Sequence, residues 1–102
     1  MIPLDPISKN MLVAKGLTTT REGINRFGLP GIAVESNEEL KNLDVDGIEY
    51  LMILSDRDNA SQAAAYTLAA RMDETNRKGR VYIPKAQNWP EAVRNDFEGE
   101  AL

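Results

Sequence analysis

The sequence predicts an α/β domain with a mostly parallel sheet of four strands, and three observations predict it. Short apolar runs alternate with helix-like segments along the whole chain. The clearest run, Tyr50-Leu51-Met52-Ile53-Leu54, is continuously apolar, as expected of a strand covered on both faces. The segments between runs are long enough for right-handed helical crossovers.

Taken in order, Met11-Leu12-Val13-Ala14 is a first strand ending at Lys15-Gly16. Thr18 to Phe27 reads as a helix, with Ile24 and Phe27 three apart and Gly28 as its stop. Gly31-Ile32-Ala33-Val34 is a second strand, and Ser36 with Glu39 forms the signature of a capping box. Residues 50–54 make the third strand. Ser61 to about Lys78 is then a long helix whose Ala65, Leu68, Ala69 and Met72 form one apolar stripe, with alanines small enough to let it lie close to the sheet. Val81-Tyr82-Ile83 is a fourth strand stopped by Pro84, and Asn88-Trp89-Pro90 opens a short final helix. The whole is a Rossmann-like sheet flanked by helices.

Composition narrows the chemistry. At 102 residues the chain has room for one domain and one modest core, with 42 % hydrophobic residues. The absence of Cys excludes disulfides, thiolate zinc sites and cysteine nucleophiles, and the absence of His removes the usual general base and imidazole ligands. A hard, oxygen-seeking cation such as Mg²⁺ is the metal this inventory serves. The net charge of −4 argues against DNA binding driven by bulk charge. Arg77, Lys78, Arg80 and Lys85 read either as a local basic patch or as cations at a helix C-terminus. No apolar run is long enough to span a bilayer, and the first ten residues lack the features of a secretory leader, so a cytoplasmic protein is expected.

Functional residues of a parallel sheet gather where strands end at their carboxyl edge. Here those ends supply Lys15, Glu35, Asp56 and Asp58. Two carboxylates two residues apart in an extended turn can face one side and offer the anionic oxygens that hydrated Mg²⁺ requires. Without a cation they repel each other by about 4 kcal/mol at ~4 Å and an effective dielectric near 20. The alternative is that Asp58 or Asn59 caps the long helix and Asp56 satisfies the turn. Arg57 between them faces either solvent or a phosphate. Thr18, Thr19 and Thr20 beside Gly16 are explained as well by helix capping as by phosphate holding.

From Met11 to Asp96 the chain resembles a Toprim domain, in the short form of primases from phages, plasmids and mobile elements. The resemblance is carried by Met11 to Thr20, by Gly28-Leu29-Pro30 and the strand after it, by Leu40 to Leu43, by Leu51 to Asp58, by Ala63-Ala64-Ala65 with Leu68-Ala69, by Gly79 to Pro84, and by Asn88 to Glu91. It implies a single domain over residues 1–102 with a core at about 11–96. It also implies Mg²⁺-dependent nucleotidyl or phosphodiester chemistry on nucleic acid in DNA replication. Asp56 and Asp58 match the family's metal positions. At the position of the family's catalytic glutamate stands Lys15, and Asn88 replaces an aspartate. Lys15 could reach the acidic turn and fill the place of a cation. The resemblance therefore implies either a primase-type nucleotidyltransferase or nuclease with reduced or absent catalysis, or a non-catalytic binding or regulatory module that keeps only the fold. Glu35 could substitute for the missing glutamate or merely precede the Ser36 cap, and Trp89 either stacks on a base or closes the core edge. The absence of Cys leaves no zinc-thiolate module in these residues and their number leaves no room for a helicase. The resemblance therefore implies either an excised fragment or a stand-alone protein that needs partners, with nucleic acid or a replication protein as the expected partner.

Overall fold

A computed structural model describes residues 2–83. Five strands and three helices alternate along them: β1 (Ile2–Pro3), β2 (Asn10–Lys15), α1 (Leu17–Phe27), β3 (Gly31–Val34), α2 (Asn37–Lys41), β4 (Tyr50–Leu54), α3 (Asn59–Glu74) and β5 (Lys78–Tyr82). The sheet order is β1-β3-β2-β4-β5, with the last four strands mutually parallel. The α/β class and the mostly parallel sheet agree with the sequence pattern.

The burial pattern explains why the strands read as unbroken apolar runs. Met11, Val13, Leu51, Ile53 and Val81 point to one face, where they pack with Leu40, Leu43, Ala65, Leu68 and Met72 under α2 and α3. Leu12, Ala14, Met52 and Leu54 point to the other, against Ile24 and Phe27 of α1. Alternate residues thus serve two cores, and neither face of β2 or β4 is left to water.

Three expectations are corrected. A fifth strand exists: β1 pairs antiparallel with β3, aligning Ile2 with Ala33 and Pro3 with Ile32. Two residues are too few to show a periodic pattern, and a proline is tolerated there because β1 lies at the sheet edge. The long helix begins at Asn59 and ends at Glu74, short of Lys78. Asn76, at a φ of 62°, turns the chain, and β5 starts three residues before the expected Val81. Lys78 and Arg80 are therefore strand residues and not cations at a helix end. Their alternation with buried Gly79 and Val81 is the period-2 pattern of a strand with one covered face. Gly79 lies under α3. A β-carbon there would stand 3.0 Å from the Ala69 Cα and 3.2 Å from the Met72 sulfur, so the small stripe of α3 does lie against the sheet.

The helix signals are partly realised. Gly28, at a φ of 72°, ends α1 in the left-handed conformation. The Ser36 side chain accepts the Glu39 N–H at 3.1 Å, one half of the expected capping box. No threonine caps α1: Gly16 holds that position, and Thr20 instead donates its hydroxyl back to the Gly16 carbonyl at 2.8 Å. Lys85 and the helix expected from Asn88-Trp89-Pro90 lie outside the described residues.

Candidate functional site

The strand order reverses direction at β2. The chain leaves β2 through α1 to β3 on one side, then crosses back through α2 to β4 on the other. Such a switch point opens a crevice at the carboxyl end of the central strand. Lys15 is the last residue of that strand.

The registers bring its neighbours together. Ala14 aligns with Leu54, so the chain just past β4 runs beside Lys15 and places Asp56 near it. Lys15 itself aligns with Val34, which brings the start of α2 within reach. The Lys15 ammonium donates to the Ser61 hydroxyl at 2.8 Å and to the Asn37 side-chain oxygen at 3.1 Å, and lies 3.7 Å from an Asp56 carboxylate oxygen. It therefore ties the central strand to the first residue of α2, the first turn of α3 and the turn after β4. The Lys15 and Asp56 side chains are 27 % and 24 % exposed, so solvent still screens their attraction.

Asp58 takes a different part. It is the N-cap of α3, one carboxylate oxygen accepting the Ser61 N–H at 2.9 Å and the other the Ser61 hydroxyl at 2.8 Å. Those two hydrogen bonds, followed by the charge of Lys15, hold its carboxyl below the ordinary aspartate range. A serine has one hydroxyl proton. Because that proton goes to Asp58, Ser61 can only accept from Lys15, and the three side chains form a directed chain from ammonium to carboxylate.

Of the residues expected at the site, Lys15 and Asp56 meet directly, and Asp58 joins them through Ser61. Glu35 is exposed just beyond β3 and is not one of the three residues that hold the ammonium. Arg57 is exposed, and its carbonyl accepts from the Gln62 amide at 2.7 Å. Asn37 and Ser61 were not expected. The Asp58-Asn59-Ala60-Ser61 spacing carries a capping signal for α3, but no local pattern tells that Ser61 also faces β2.

Residues 10–98 match the Toprim domain family. The chain belongs to that family. Toprim domains are nucleic-acid-related, metal-binding modules of primases, topoisomerases and nucleases, and generally bind Mg²⁺. No curated protein and no solved structure matches the chain. Among the described residues, no helix of this Toprim domain is long and apolar enough to cross a membrane.

The residues at the Toprim acidic turn do not fit a hydrated divalent ion as they stand. Among the described residues, no three carboxylates gather in metal-holding geometry. An ammonium lies beside Asp56, and both Asp58 oxygens already accept hydrogen bonds. Ser61 beside Lys15 has the spacing of a serine–lysine nucleophile pair, but the serine is 1 % exposed and its proton is committed to Asp58. The arrangement is that of an internally bonded turn in which one ammonium offsets one of the two carboxylate charges.

Proposed function

We propose that this chain is a single-domain, primase-related Toprim module of the kind carried by phages, plasmids and mobile elements, acting in DNA replication with its Mg²⁺-dependent chemistry reduced or lost. The observation that carries this reading is the Lys15 ammonium. It stands where the family has a glutamate and is bonded to Ser61 and Asn37 with Asp56 beside it. A fixed positive charge there relieves the repulsion between the aspartates that would otherwise favour a cation. What remains is the carboxyl edge of the sheet at its switch point, where a parallel fold presents its ligand-facing residues, suited to contact nucleic acid without turning it over. The same geometry supports a second reading, a regulatory module that docks on a replication protein.

The test combines oligonucleotide binding with turnover. Fluorescence anisotropy on labelled single-stranded DNA is expected to give binding that added Mg²⁺ leaves unchanged. Primer-synthesis and single-strand nuclease assays with Mg²⁺ or Mn²⁺ are expected to stay at background. Metal-dependent turnover that disappears in Asp56→Ala would overturn the proposal. Failure to bind any oligonucleotide favours the docking reading.

A further inference from the structure

We infer that Ser61 determines which cation the acidic turn accepts. The inference rests on the reading above, in which Lys15 takes the cation's place, and extends it from the residue that fills the site to the residue that shapes it. Ser61 is buried in the first turn of α3 and performs two tasks at once. Its hydroxyl accepts the Lys15 ammonium at 2.8 Å. Its N–H and hydroxyl proton together occupy both oxygens of Asp58, at 2.9 and 2.8 Å, and turn that carboxylate toward the helix end.

Replacing the lysine alone therefore leaves half of the acidic pair engaged. A divalent ion entering the turn would compete with an N-cap for Asp58, and a cap resists removal because it satisfies otherwise orphaned helix donors. Removing the Ser61 hydroxyl frees one Asp58 oxygen while the backbone N–H at position 61 keeps the cap on the other. Ser61 thus sets the site for an ammonium, which needs acceptors, and against a divalent ion, which needs uncommitted carboxylate oxygens.

The experiment compares the wild-type 102-residue chain with Lys15→Glu and with Lys15→Glu/Ser61→Ala. Mn²⁺ is titrated while line broadening of the backbone amides of residues 56–61 is followed by NMR, and Mg²⁺ by thermal shift. The expected result is weak binding by Lys15→Glu and binding at least about fivefold tighter by the double variant. The pair Lys15→Gln and Lys15→Gln/Ser61→Ala repeats the comparison without added negative charge, should three carboxylates prevent folding. Equal, tight binding by single and double variants overturns the role of Ser61 and leaves that of Lys15 standing. No binding by either variant also overturns it. Tight binding by the wild type overturns the Lys15 reading itself.

Discussion

The Lys15 ammonium and an Asp56 carboxylate oxygen stand 3.7 Å apart, one at the end of the central strand and the other in the turn after its neighbour. Lys15→Met keeps much of the side-chain length and removes the charge, leaving Ser61 and Asn37 without their donor. Because the site is a quarter exposed, water replaces part of what is lost. The expected destabilisation is about 1–2 kcal/mol, read from urea denaturation.

Asp58 makes stability depend on acid in a defined direction. Its carboxyl is held below the ordinary aspartate range in the folded protein, so its contribution is complete above an unfolded pKa of ~3.9 and is lost as pH falls through the lower folded value. Asp58→Asn retains a capping oxygen but cannot titrate. Its melting temperature is expected to fall less than that of the wild type between about pH 4 and pH 2. Equal slopes would show that other carboxylates govern the acid response.

Arg71 of α3 donates to the Lys41 carbonyl at 2.5 Å and to the Leu43 carbonyl at 3.0 Å, closing the open end of α2. Arg71→Ala is expected to cost about 1–3 kcal/mol and to speed amide hydrogen exchange around the end of α2. Arg71→Lys recovers little, because one ammonium does not reproduce the two-pronged guanidinium fork.

Gly79→Ala is expected to destabilise by about 1–3 kcal/mol, since the added methyl meets the Ala69 backbone at 3.0 Å where no side chain can swing away. Thermal denaturation checks it. An unchanged melting temperature would mean that α3 lifts from β5 without cost.

The parts of the fold legible in the sequence were those with local causes. β2, β3 and β4 announce themselves because both faces are covered, and α1 because Gly28 ends it. β1 is two residues long and owes its pairing to β3, twenty-nine or more positions away in sequence, so nothing nearby marks it. β5 begins before its apolar signal because Lys78 and Arg80 look like helix-end cations until the turn at Asn76 is known. At the site, Lys15, Asp56 and Asp58 could be found by asking where strands stop. Asn37 and Ser61 could not, since each looks like an ordinary first-turn residue. Their second role comes from the register of β2 with β3 and β4, which is a property of the assembled sheet.

The counter-charge at this turn is covalently part of the chain. It is supplied at one per molecule during synthesis, does not exchange with solution, and cannot be removed by a chelator or diluted away. Its joining of the central strand to α2 and α3 is therefore indifferent to the divalent-ion concentration around it, and chelator should leave the melting temperature where it was.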